Sequence, residues 1–260
     1  MFDIAVLQGK RILVTGGGTG LGKEMAVGFA AYGAHVYICG RRKEVLDQAA
    51  REIRERSGGR ADAVLANVRD PDSLEAMMTA IWADGPLTGL VNNAAANFLA
   101  PTESLSPRGY EAVRSTVMDG SFYASLACGK RWIAAGLPGS VLSNLTTWVW
   151  TGSAFVVPSA MAKAAVHAMT MSLAVEWGRY GIRVNALAPG PIPTEYAWEM
   201  LNPTDKSSVG ATQADQIPLG RSGTIDELAN LTIFALSDAC EGGPLSYCSG
   251  RPRRAQLRLA

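Results

Sequence analysis

Six short apolar runs recur along the chain: RILVT (11–15), AHVYIC (34–39), ADAVLAN (61–67), LTGLVNN (87–93), GSVLSNL (139–145) and IRVNALA (182–188). Runs this short, rich in β-branched residues and with little polar alternation, suit strands that are buried on both faces. Between them, segments near 21–32, 43–57, 71–84, 106–136 and 159–179 read as helices. A strand followed by a helix, repeated, leaves few topologies. Right-handed crossovers lay the strands parallel and place helices over both faces of the sheet. The expected fold class is therefore α/β, a doubly wound parallel sheet flanked by helices.

With 260 residues, 48% of them hydrophobic, the chain is long enough for one large core, and a single domain over 1–260 is expected. Its 24 basic and 23 acidic residues leave a net charge of +1, so nothing electrostatic points to nucleic acid or an anionic membrane surface. Small-molecule ligands are expected instead. The start MFDIAVLQGKR has no secretory-signal pattern, and no apolar run reaches membrane-spanning length, so a cytoplasmic protein is expected. Cys39, Cys128, Cys240 and Cys248 are scattered without CxxC spacing, and His35 and His167 have no partner at ligand spacing. Buried thiols, with neither disulfides nor a metal, are the expectation.

The segment VTGGGTGLG joins the first expected strand to the first helix and crowds Gly16, Gly17, Gly18, Gly20 and Gly22 into one turn. Glycine admits positive φ and lets a pyrophosphate approach a helix N-terminus, where free N–H groups favour anions. A plain tight turn also uses glycine. The place of this one, at the head of a strand–helix series, points to a Rossmann-like dinucleotide site. After the second strand comes ICGRRKE, with no acid to meet adenosine ribose hydroxyls. Gly40 leaves room there, and Arg41 or Arg42 can pair with the 2′-phosphate of NADP. Two solvated arginines opening a helix are the alternative.

TGGGTGLG (15–22), NNAA (92–95), the helix of Lys163, RVNALAPGPIPT (183–194) and the order of elements resemble the short-chain dehydrogenase/reductase family over residues 10 to about 238. Within it, NNAAANFLAPTESLSP (92–107), GSAFVVPSAMAKA (152–164), SLAVEWGRYGIRVNALAPGPIPT (172–194) and LNPT (201–204) look like the NADPH-dependent 2,4-dienoyl-CoA reductase branch. The resemblance implies NADP contacts at Gly16, Gly18, Thr19, Gly20, Leu21, Gly22, Arg41, Asn67, Asn93, Ala94, Lys163, Pro189, Gly190 and Ile192. Asn67 stands where the family usually has an Asp contacting the adenine amino group. The resemblance further implies an acyl-CoA substrate, a place in fatty-acid metabolism and a homotetramer.

Most family members carry Tyr four residues before the active-site lysine, whereas the dienoyl-CoA reductase branch has Ser, as here with Ser159 and Lys163. By resemblance, Asn97 donates to the thioester oxygen, Thr146 or Thr147 and Ser159 supply hydroxyls, and Lys163 holds the nicotinamide ribose. That branch takes its tyrosine from the loop after the fifth strand, and Trp148 occupies that position here. An indole N–H donates a hydrogen bond but is no acid in water, so slowed catalysis is expected. Each residue also has an ordinary reading. Asn97 shapes a turn, Ser159 caps the helix after Pro158, and Lys163 is a solvated helical lysine. Trp148 and Trp150 fill an acyl pocket while Tyr196 supplies the proton.

Met200 falls where dienoyl-CoA reductases have an Arg for the CoA phosphates. Phe98, Phe155, Trp198 and Met200 either line an acyl channel or pack as core and lid. The proline-punctuated stretch at 189–210 is expected to be a lid or binding loop. From about residue 240 the apolar pattern stops, and Arg251, Arg253, Arg254 and Arg258 appear. A shifted reading frame or a degenerated end is the expected origin of this tail. Two other functions compete with the dienoyl-CoA reductase: a carbonyl reductase of 3-oxoacyl thioesters, and a catalytically weakened NADP-binding protein.

Overall fold

A computed structural model describes residues 3, 5–194, 217 and 219–240. Its centre is a six-stranded sheet in which every pair is parallel: β1 (Arg11–Thr15), β2 (His35–Gly40), β3 (Arg60–Leu65), β4 (Gly89–Asn92), β5 (Gly139–Asn144) and β6 (Ile182–Leu187). The spatial order is β3-β2-β1-β4-β5-β6, so the direction of winding reverses between β1 and β4. A crevice opens at the carboxyl ends of the strands where winding reverses, and ligands of such sheets bind there.

The missing polar alternation has a direct cause. Ile12 and Val14 of β1 pack on one face of the sheet with α1 (Gly20–Ala31), α2 (Lys43–Ser57) and α8 (Ile225–Leu236). Leu13 packs on the other with α3 (Pro71–Ala83), α5 (Gly120–Ala135) and α7 (Val157–Trp177). Both faces are apolar because both are covered. The helices approach closely through small residues: a Cβ on Gly129 would stand 2.5 Å from the Trp177 ring, and one on Gly139 would stand 2.4 Å from Trp132. Trp132 is fully buried, and its indole N–H donates to Leu87 O at 2.6 Å.

The continuous helix expected over 106–136 is interrupted. α4 (Pro107–Arg114) leads into a π-helical turn, Ser115–Asp119, before α5 begins. Ser106 caps α4 by accepting from Gly109 N at 3.1 Å, and Arg114 pairs with Asp119 at 2.7 Å across the π turn. Gly120 then presses against Val68, with its Cβ position 2.8 Å from Val68 Cγ2. A short α6 (Trp148–Thr151) and α8 were absent from the expected elements. α8 did carry a signal, since Thr224 and Glu227 form a reciprocal capping box at its start.

One ordinary reading and one functional reading are corrected here. Ser159 does not cap α7: the helix starts at Val157 with Val156 as its N-cap, which places Ser159 inside the first turn. Phe98 packs with Val113 and Val117 in a small core, and Phe155 is 56% exposed at φ +66°, so neither lines the cleft as an acyl channel requires. Tyr196, Trp198, Met200, LNPT (201–204), Cys248 and the tail 241–260 lie outside the described residues. Cys39, Cys128 and Cys240 are buried and free. No helix among the described residues is long and apolar enough to cross a membrane.

Candidate active site

At the carboxyl ends of the strands lies a cleft of about 540 Å³, and every residue given an NADP contact or a hydrogen-bonding role by the resemblance lines it. The cleft begins at the turn between β1 and α1. Thr15 Oγ1 accepts from the backbone N–H groups of Asn93 and Ala94, both at 3.0 Å, and donates to Val91 O at 3.2 Å. These bonds bind the turn to the end of β4. Gly16 has φ +65°, and a Cβ on it would stand 2.8 Å from Ala94 Cα, so no other residue fits without moving backbone. A Cβ on Gly22 would stand 2.3 Å from Asn93 Nδ2.

Thr19, the N-cap of α1, makes no side-chain capping bond, and the first turn holds no acid. A helix start of this kind, cradled by glycine, suits an anion such as a pyrophosphate. At the far end of the same wall, Gly40 closes β2, and exposed Arg41 and Arg42 follow it, Arg42 as the N-cap of α2. Asn67 lines the cleft beside them. Its Oδ1 accepts from Arg69 N at 3.2 Å, which turns the acceptor toward its own loop. Glycines, a bare helix start and two guanidinium groups fit a dinucleotide along this wall.

The other end carries the residues to which the resemblance gives catalytic roles. Ser159 and Lys163 lie one turn apart on α7, 4% and 6% exposed. Lys163 is therefore no solvated lysine. Its Nζ donates to Asn144 O, and burial alone pulls it down from 10.5 to about 8. Thr146 Oγ1 is buried without a hydrogen-bond partner, the condition of a hydroxyl that a ligand satisfies. Asn97, Thr147 and Trp148 complete this wall. Trp148 opens α6, and Trp150, two residues on, meets the His167 ring edge-on at 5.4 Å. The described lining residues include no tyrosine. Across the mouth, residues 189–194 and Ser222 form the remaining rim, and Gly223 N donates to Pro191 O at 3.0 Å.

Thr116, Ser222 and Asn144 are among the lining residues that sequence reasoning missed. Thr116 reaches the cleft from the π turn, which helical periodicity does not reveal. Ser222 comes from the segment before α8, and Asn144 ends β5, where it read as an ordinary strand residue.

A cleft at the reversal of a parallel sheet, with a glycine turn at one end and a buried lysine at the other, suits a dinucleotide cofactor. Comparison with known proteins narrows the class. The family model described as "Enoyl-(Acyl carrier protein) reductase" matches residues 16–243. A Bacillus subtilis protein named "Probable 2,4-dienoyl-CoA reductase [(2E)-enoyl-CoA-producing]" is 41% identical over 245 residues, covering 94% of each chain. A Caenorhabditis elegans protein named "Probable 2,4-dienoyl-CoA reductase 3 [(3E)-enoyl-CoA-producing]" is 43% identical over 235 residues, 89% of this chain and 76% of the relative. The crystal structure of a short chain dehydrogenase from Bacillus anthracis superposes with a TM-score of 0.81 at 40% identity, over 93% of each chain. The chain belongs to the short-chain dehydrogenase/reductase family.

The buried lysine makes a prediction for stability. Between pH 8 and 10.5 the unfolded chain holds a proton that folded Lys163 has released, so stability rises with pH across that window. Below it the ammonium stays charged in both states, and its burial opposes folding in full. Lys163→Met is therefore expected to gain most over the parent near neutral pH, with the difference shrinking as pH rises through the window. Urea unfolding at several pH values measures this, and a difference independent of pH would place the ammonium in water.

Proposed function

We propose that the protein is an NADPH-dependent reductase of a 2,4-dienoyl-CoA or related enoyl-CoA thioester in fatty-acid metabolism, with proton transfer slowed by Trp148. The observation that carries this reading is the reactive wall itself. It combines a buried lysine, a serine one turn before it, an unpartnered threonine hydroxyl and a tryptophan. The relatives named as dienoyl-CoA reductases support the substrate class. A homotetramer goes with the reading, supported by exposed Met171 and Val175 four apart on α7.

Bound NADPH supplies the hydride. The chain's own residues hold the thioester where negative charge collects on its oxygen as the far end of the diene is reduced. Asn97 donates its side-chain amide to that oxygen, and Thr146 and Ser159 offer hydroxyls. The Lys163 ammonium holds the nicotinamide ribose and favours the anion by its charge. Trp148 donates through its indole N–H but has no proton to give up, so water protonates the dienolate. Loss of a general acid typically costs about 10² to 10⁴ in rate. Asn67 lines the adenine end of the cleft with its amide carbonyl engaged by Arg69 N.

Selectivity for NADPH over NADH rests on Arg41 and Arg42, whose guanidiniums suit the 2′-phosphate. Arg41→Glu and Arg42→Glu together are expected to abolish the preference, read as the ratio of the two dissociation constants by fluorescence titration. An unchanged ratio would remove both arginines from the phosphate site.

The chemistry is tested by NADPH oxidation with a 2,4-dienoyl-CoA, a 3-oxoacyl-CoA and no substrate. Slow turnover of the dienoyl thioester alone is expected, rising about tenfold or more in Trp148→Tyr as a proton donor returns. Preference for the 3-oxoacyl thioester would favour the carbonyl reductase. Trp148 also suits a weakened NADP-binding protein, and NADPH binding without turnover in either chain would favour that function.

A further inference from the structure

Behind the glycine turn runs a line of hydrogen bonds that the proposed cofactor contacts leave unused. Asn93 Nδ2 donates to two carbonyls of the turn, Thr15 O at 3.1 Å and Gly16 O at 3.3 Å. Only the amide nitrogen satisfies two carbonyls, so Asn93 Oδ1 must face away from the turn. There it accepts from Asn144 Nδ2 at 3.1 Å. Asn144 in turn offers its main-chain carbonyl to Lys163 Nζ. The bonds thus run from Gly16 through Asn93 to the side chain of Asn144, whose main-chain carbonyl holds Lys163.

The sheet explains why this link matters where it stands. β4 and β5 pair from Gly89↔Ser140 to Asn92↔Ser143, and there the ladder ends. The next residues in register are Asn93 and Asn144, and their side chains continue the pairing one step beyond the backbone. Asn144 Oδ1, by contrast, is buried with no hydrogen-bond partner. An amide satisfied on one side only is a poor choice for stability alone. What it supplies is direction, because the Asn93 acceptor dictates which way Asn144 turns.

Lys163 has little else to orient it. The groups that share its end of the cleft are neutral: the Asn144 carbonyl from β5, Thr146 beyond it, Ser159 on its own helix and Thr116 from the π turn. His167, one turn further along α7, lies against Trp150. No charged side chain contributes to the shift at Lys163.

We propose that Asn144 is a positioning residue that ties the glycine turn to Lys163, so that the placement of the turn sets where the ammonium stands. The proposal rests on the reading that the cleft binds NADPH at that turn and a thioester beside Lys163. Asn144 touches neither the substrate nor the reacting atoms in this role. It acts through Asn93 on one side and Lys163 on the other.

The test is a double-mutant cycle of Asn93→Ala and Asn144→Ala, with Asn144→Leu as a variant that keeps the side-chain volume. NADPH dissociation constants are measured first, then kcat and KM for a 2,4-dienoyl-CoA at saturating NADPH across pH. Asn144→Ala and Asn144→Leu are each expected to weaken NADPH about three- to tenfold, the size of one hydrogen bond. At saturating NADPH, kcat falls by a similar factor while KM for the thioester holds.

The double variant binds no worse than Asn93→Ala, because both substitutions cut one line of bonds. The decline of activity with rising pH, which follows Lys163, starts at lower pH in Asn144→Ala, since the main-chain carbonyl at 144, no longer anchored through Asn93, holds the ammonium less well. A residue with a merely structural role would lower the unfolding midpoint and leave the pH profile unmoved. That result, additive losses in the cycle, or parent-like NADPH affinity in both Asn144 variants overturns the proposal. If the parent chain turns over no dienoyl-CoA, the substrate reading fails by itself, and the NADPH cycle still decides the role of Asn144.

Discussion

The contact on which the rest of the structure depends is the approach of the glycine turn to the end of β4. Thr15 Oγ1 holds two successive backbone N–H groups of Asn93 and Ala94, and Gly16 lies against Ala94 with no room for a side chain. β1 and β4 are the neighbours between which the winding reverses. Crossovers leave that junction in opposite directions, so the crevice there is unfilled by helix. The same bonds that close the turn onto β4 fix the floor of the cleft.

A second constraint follows from the first. The reactive end is built into a wall whose lysine is almost wholly buried, and burial brings its proton affinity down toward neutrality. Placing such a group costs stability, which the covered sheet on either side offsets. The π turn belongs to the same economy of space: one extra residue in the helical path turns Thr116 into the cleft, and Gly120 lets the following helix close on Val68. In the proposed function, Trp148 stands in this wall as a donor that keeps its proton, where the resemblance implies a phenol.

The strands were legible because burial on both faces leaves a continuous apolar run, and β1 and β5 fall within the expected stretches. The glycine turn was legible because its spacing reflects a backbone need. Lys163, Ser159, Asn97, Thr146 and Trp148 were reached through resemblance, and the fold gathers them into one cleft. What escaped had physical reasons. A π turn keeps the composition of an α-helix, so Ser115–Asp119 read as uninterrupted helix. Asn144 looked like any polar strand end, because its partner Asn93 lies just past the end of another strand. Phe98 was ambiguous from sequence, since core and channel use the same side chains, and it proved to be core.

The cradle is tested most directly by Gly16→Ala. Its Cβ would meet Ala94 Cα at 2.8 Å in a conformation that favours glycine. Calorimetric titration with NADPH, beside circular dichroism of the same sample, separates loss of binding from loss of fold. Native-like secondary structure with NADPH binding abolished is the expected result. Parent-like affinity in the folded variant would contradict a nucleotide site built on that contact.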